Sequence, residues 1–129
     1  MLEPILVVDS DLERCLGLCT LLGQENYRTT PLHSLQDLEE NILRGGFRVV
    51  ILDLDGLPAD NRFFRDLKRI NPSAIFMALS SRPFHPELKE SLCAHIYACI
   101  RKPYDPMELY YWLKTIFINE DEWKNSNHA

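Results

Sequence analysis

The chain has no apolar run approaching the ~18–20 residues that crossing a hydrocarbon layer requires, so no membrane span is expected. Its first residues carry no basic segment leading into an apolar stretch, so no secretory signal is expected either, and the reading is of a cytoplasmic protein. Positive charge is scarce: 14 Lys and Arg stand against 19 Asp and Glu, a formal net charge of -5. Binding to a nucleic-acid backbone needs clustered cations. The one basic run, Arg62, Arg65, Lys68 and Arg69, shares its segment with Asp60 and Asp66 and reads as a solvated helix face. No C-x-x-C pair occurs among Cys15, Cys19, Cys93 and Cys99, and the nearby His33 and His85 complete no ligand spacing. A reducing compartment disfavours disulfides, so the four cysteines read as buried small hydrophobes. Internal repeats and low-complexity linkers are also missing. What is left is one globular domain: 129 residues, 46% hydrophobic and 26% charged, enough for a single core.

Short apolar runs alternate with longer amphipathic ones. Ile5 to Val8 is a continuous apolar run, as in a strand covered on both faces. Leu12, Cys15, Leu16, Leu18, Cys19 and Leu22 form a helical stripe. Tyr27 to Leu32 is a weaker strand, and Pro31 puts it at an edge. Ser34 caps a helix from Leu35 to Arg44, which Gly45 and Gly46 stop. Val49 to Leu52 is the strongest strand, followed by a turn at 55–58. A helix over 62–70 turns Phe63, Phe64, Leu67 and Ile70 inward. Ala74 to Leu79 is a fourth strand, Pro86 opens a helix to about Ala94, and Tyr97 to Ile100 is a fifth strand. Asp105 caps and Pro106 opens a last helix through Leu109, Trp112, Leu113, Ile116 and Phe117. The domain is expected over 1–118, with 119–129 a polar tail that frays. Five strand–helix repeats predict an α/β protein, a (βα)5 doubly wound five-stranded parallel sheet with helices on both faces. Function in such sheets sits beyond the carboxyl ends of the strands.

The residues at those ends carry chemistry. The first strand runs into Asp9-Ser10-Asp11, the third into Asp53 with Asp55 two further on, the fourth into Ser80-Ser81 and the fifth into Lys102-Pro103. Clustered carboxylates repel one another unless a cation neutralises them, and Mg²⁺ takes a few carboxylates, a carbonyl and waters. A carboxylate can be the nucleophile in phosphoryl transfer. A cation and a hydroxyl can then stabilise the charge on the transferring group.

Taken in order, Ile5-Leu6-Val7-Val8-Asp9-Ser10-Asp11, Val49-Val50-Ile51-Leu52-Asp53, Ala78-Leu79-Ser80-Ser81 and Arg101-Lys102-Pro103 resemble the receiver domain of bacterial two-component response regulators, over roughly Glu3 to Phe117. The resemblance implies the flavodoxin-like receiver fold. It implies Asp53 as phosphoacceptor, Asp9 in an acidic pair that holds Mg²⁺, Asp55 as a main-chain metal ligand, Ser80 as the hydroxyl that meets the phosphoryl group, and Lys102 as its ammonium partner. The metal set it implies is Asp9, Ser10, Asp53 and Asp55. Pro103 corresponds to a proline whose preceding peptide bond is usually cis. The implied partners are a histidine kinase or histidine phosphotransfer protein as donor and a downstream output protein. The fourth helix, fifth strand and fifth helix form the signalling face, which is also a candidate homodimer surface; no nucleic acid or membrane is expected. The protein is expected not to be an enzyme beyond self-catalysed phosphorylation and dephosphorylation of Asp53.

Three residues depart from that pattern. Ser10 takes the second place of the acidic pair, where a hydroxyl is a far weaker Mg²⁺ ligand; Asp11 or Asp55 are candidates to compensate. Leu57 stands four residues beyond Asp53, where the family commonly has proline, and Pro58 follows. Cys99, three residues before Lys102, stands where the family often has a switching aromatic. Ser10 and Cys99 support an alternative, a pseudo-receiver acting as a phosphorylation-independent protein-interaction module. A flavin-carrying relative is disfavoured, because Asp9-Ser10-Asp11-Leu12 replaces a Gly-rich phosphate loop. His33, His85 and His95 read as surface or packing residues. Tyr110, Tyr111, Trp112 and Leu113 divide between core and partner face.

Overall fold

The two most apolar runs, β1 (Ile5–Val8) and β3 (Val49–Asp53), are buried along their whole length and lie side by side in the middle of the sheet. In the computed structural model, which describes residues 4–83 and 85–127, they are flanked by β2 (Thr29–Leu32), β4 (Ile75–Ser80) and β5 (Ile96–Arg101). All five strands are parallel, in the order β2-β1-β3-β4-β5. The doubly wound sheet expected from the alternation is therefore present. Pro31 sits in β2 at the sheet edge, where a missing N–H costs no ladder bond.

The helices are α1 (Leu12–Gln24), α2 (Leu35–Arg44), α3 (Asn61–Ile70), α4 (Lys89–Ala94) and α5 (Pro106–Asn127), with a 3₁₀ turn (Pro86–Leu88) leading into α4. Side chains alternate across each strand, so two apolar layers form. Leu6, Val8, Val50, Leu52, Phe76 and Ala78 pack with Leu38, Ile42, Phe64, Leu67 and Leu88 from α2, α3 and the 3₁₀ turn. Ile5, Val7, Val49, Ile51, Met77 and Leu79 pack with Cys15, Leu18, Leu22, Leu109, Leu113 and Ile116 from α1 and α5. Short polar side chains start the helices: Asp11 accepts the Arg14 N–H, Ser34 the Asp37 N–H, Asp60 the Phe63 N–H and Asp105 the Met107 N–H.

Several expectations shift by a turn. The buried stripe of α1 is narrower than six residues: Cys15, Leu18 and Leu22 are buried and Cys19 half-buried, while Leu12 and Leu16 face solvent. A helix at the flank of a sheet needs only one row of contacts, here spaced i, i+3, i+7. Ile70 is likewise exposed at the end of α3, beyond the reach of the sheet. All four cysteines are free, but only Cys15 is buried; Cys93 and Cys99 are exposed on α4 and β5. The backbone of α5 runs on to Asn127, since no Pro or Gly follows Phe117 to stop it, so the segment expected as a fraying tail is helical to that point. His128 and Ala129 lie outside the described residues.

Phe64 is fully buried and meets Phe76 edge-on, with ring centroids 5.6 Å apart. Phe64→Ala removes this contact from the layer under α3 and is expected to cost about 3–5 kcal/mol. Urea unfolding should show a lower midpoint at an unchanged slope.

Candidate functional site

At the carboxyl edge of the sheet the strand order turns outward on either side of β1 and β3, which opens a crevice there. Into it come Asp9 after β1 and Asp53 at the end of β3, 4% and 2% exposed. Ser80 ends β4 and is fully buried, and Lys102 follows β5. The Lys102–Pro103 peptide bond is cis, as the resemblance implied. Lys102 Nζ lies 2.7 Å from Asp53 Oδ2 and 2.8 Å from Asp55 Oδ2, bridging the two carboxylates. Asp53 Oδ1 accepts the Asp55 N–H at 2.9 Å. The Asp55 carboxylate also accepts the Ser81 N–H at 3.0 Å, which ties the loop after β3 to the end of β4. That loop turns at Gly56, whose φ of 86° suits glycine, and a Cβ there would come within 2.8 Å of Ser10 Oγ.

The electrostatics follow from burial. Desolvation pushes the Asp53 carboxyl above the ordinary range, more strongly than the Lys102 hydrogen bond pulls it down, and the charge of Asp9 adds to the rise. Burial also opposes the charge on Lys102, but its bonds to Asp53 and Asp55 outweigh that and raise its pKa. Asp55 is less buried; its bonds to Lys102 and Ser81 overcome desolvation and hold it below the ordinary range.

Two residues missed in the sequence join the cluster. Arg14, in the first turn of α1, forks onto Asp9: Nε lies 2.7 Å from Oδ2 and Nη2 2.8 Å from Oδ1. The same Nε is 3.5 Å from Asp53 Oδ2. The Asp9 hydrogen bond raises the already high pKa of Arg14. His85, expected at the surface or in packing, is 6% exposed, and its Nε2 is 2.6 Å from Ser80 Oγ. Ser80 Oγ also accepts the Arg82 N–H at 3.0 Å. His85 and Cys99 both line a cleft of about 640 Å³ with Lys89, Leu92, Cys93 and Arg101. The spacing of Asp9 to Arg14 could have flagged the arginine, since residue 14 falls where the first turn of the helix looks back over the strand end. Nothing in the sequence marked His85.

Mg²⁺ was expected on Asp9, Ser10, Asp53 and Asp55, and the side chains as placed do not fit it. Both Asp9 oxygens are held by a guanidinium, the Asp53 oxygens by Lys102 and the Asp55 N–H, and Ser10 brings only a hydroxyl; Asp55 was expected through its main chain, which the Lys102 bond to its carboxylate does not touch. Among the described residues no group of three or more His, Cys, Asp or Glu side chains is set to hold a metal ion.

The fold is shared with known structures. A response regulator receiver domain protein (CheY-like) from Methanospirillum hungatei superposes with a TM-score of 0.83, at 20% identity over 95% of this chain and 98% of that one. The chain has the response-regulator receiver fold. The BeF3-activated DrrB receiver domain matches at 23% identity and TM-score 0.75, over 91% and 98%. NtrX from Brucella abortus in complex with ATP matches at 19% identity and TM-score 0.80, over 98% of this chain but 29% of that protein. No family model and no curated protein sequence matches the chain. The receiver fold accounts for the convergence of Asp9, Asp53, Ser80 and Lys102, which sit at the ends of the strands that the crevice joins.

Asp53→Asn removes a charge that burial disfavours while Lys102 keeps Asp55 as partner. The folded-state pKa of Asp53 is raised, so its carboxyl adds most stability below the ordinary Asp pKa and loses it as pH rises through the folded value. The variant should therefore melt higher than wild type at pH 7, and the gain should shrink on acidification. A melting series across pH reads this directly.

Proposed function

We propose that the chain is a phosphoacceptor receiver module of a two-component pathway, taking a phosphoryl group on Asp53 and passing the change to a partner protein. The observation that carries this reading is the buried Asp53 carboxylate, bridged to Lys102 at 2.7 Å at the carboxyl edge of a receiver fold. One Asp53 oxygen would attack phosphorus in line. As the new O–P bond forms, the donor's bond to phosphorus breaks: the P–N bond of a phosphohistidine, whose imidazole nitrogen keeps the electron pair, or the P–O bond of an acyl phosphate, whose carboxylate keeps it without taking up a proton. Lys102 lies close enough to meet the charge on the phosphoryl oxygens. The donor would be a histidine kinase or phosphotransfer protein. The chain acts as a substrate of that transfer, and as an enzyme only toward its own Asp53.

Output would run through Ser80. Its hydroxyl is shared with His85, and a phosphoryl group on Asp53 would compete for it, releasing His85, and with it the loop that leads into α4, from the end of β4. The face beside it, α4-β5-α5, exposes Tyr97, Met107 and Tyr111, with Trp112 packed edge-on to both tyrosines. That is the surface for a downstream protein or a second copy.

A second reading has its own support. Arg14 already neutralises Asp9, and Ser80 is already engaged by His85, so the fold could serve as a pseudo-receiver that binds a partner without phosphorylation.

Intact mass after incubation with acetyl phosphate separates the two. The phosphoacceptor reading expects one phosphoryl adduct that Asp53→Asn abolishes. A folded wild-type sample that gains none from acetyl phosphate or from a phosphorylated kinase would favour the pseudo-receiver.

A further inference from the structure

A cation that bridged Asp9 and Asp53 would have to sit between the ends of β1 and β3. A side chain of the protein holds that place. The Arg14 guanidinium uses two nitrogens on the two oxygens of Asp9, at 2.7 and 2.8 Å, and leans to 3.5 Å from Asp53. Its approach is fixed by the start of α1. Asp11 accepts the Arg14 backbone N–H at 2.9 Å, and the Asp11 N–H is itself held by Asp9 Oδ1 at 2.9 Å. The strand end, the cap and the first helical turn therefore form one hydrogen-bonded unit that aims residue 14 at Asp9.

The rest of the cluster fits a two-cation arrangement. Three carboxylates converge, Asp9, Asp53 and Asp55; Arg14 serves the first and touches the second, while Lys102 serves the second and third. Ser10 lowers the negative charge at the place where a carboxylate would strengthen a metal site, and its Oγ lies against Gly56. A guanidinium stays protonated throughout the working pH range, and its planar fork matches a carboxylate or a phosphoryl group. Arg14 is also 45% exposed, so its outer edge is open to an incoming anion.

We propose that Arg14 is the resident cation of this acidic cleft, so that the site works without a divalent metal. With Ser10 in place of a carboxylate, the cleft holds one negative charge fewer, and Arg14 meets both oxygens of Asp9. The inference deepens the phosphoacceptor reading, but its first test does not depend on phosphorylation.

That test is a Mn²⁺ titration followed by the electron paramagnetic resonance signal of the free ion. Wild type should leave the signal unaltered through the millimolar range. The Ser10→Asp, Arg14→Ala double variant, shown to be folded by circular dichroism, should take up one ion. Uptake by wild type that Asp9→Asn abolishes would overturn the proposal, as would a folded double variant that takes up none. If the double variant fails to fold, Arg14→Gln replaces it with the same expectation, and the wild-type titration remains decisive. The second readout is adduct formation from acetyl phosphate in EDTA against Mg²⁺. Equal rates are expected, with Arg14→Ala slowing the reaction by about 10²-fold; a rate that Mg²⁺ raises and EDTA abolishes overturns the proposal. Absence of any adduct from both acetyl phosphate and a phosphorylated kinase refutes the phosphoacceptor reading instead, and the Mn²⁺ titration then decides the role of Arg14 alone.

Discussion

Three carboxylates brought to one edge of a parallel sheet cannot all stay ionised and buried unless cations meet them. The topology brings this about, because β1 and β3 are neighbours, Asp9 directly follows β1 and Asp53 ends β3. Burial favours the neutral form of Asp53, and the ion pair with Lys102 opposes it. Arg14 completes the arrangement on the other side by covering Asp9. The loop after β3, the cap of α1 and the end of β4 are all tied into this cluster by backbone N–H groups that donate to its carboxylates. The charge arrangement thus organises the local backbone as much as the reverse.

Much of this was legible in the residues. Continuous apolar runs at 5–8 and 49–52 mark central strands, and Pro31 marks an edge, because the hydrogen-bonding needs of a buried backbone leave few other choices. The convergence of Asp9, Asp53, Ser80 and Lys102 follows from strand ends in a βα alternation. Helix faces were less legible: Leu12, Leu16 and Ile70 fit an apolar stripe by spacing, yet a flanking helix has only one row in contact with the sheet. The partners of a site residue were the least legible. Arg14 is near Asp9 in sequence, but only the capped turn at Asp11 shows that its side chain folds back. The metal set read from the resemblance assumed a free Asp9, and the guanidinium on its two oxygens removes that assumption.

Ser80 and residue 99 show a related exchange. The family pattern puts an aromatic ring at position 99, and this chain has an exposed cysteine there. His85 instead reaches the Ser80 hydroxyl from the loop before α4, and the space beside it stays open as the cleft lined by Cys99 and Leu92. The Ser80 hydroxyl is therefore joined by a hydrogen bond to one buried imidazole in the loop that leads into α4.

The central claim is that the charge of the acidic edge is met from within the chain. Nitrogen-15 NMR of the arginine side chains tests it most directly. The Arg14 Nε–H should give a resolved, slowly exchanging signal, because it is fixed on a carboxylate, and Mg²⁺ should leave it in place while Asp9→Asn collapses it into the averaged arginine peak. An Arg14 signal already averaged in wild type, or one that Mg²⁺ displaces, would contradict the account.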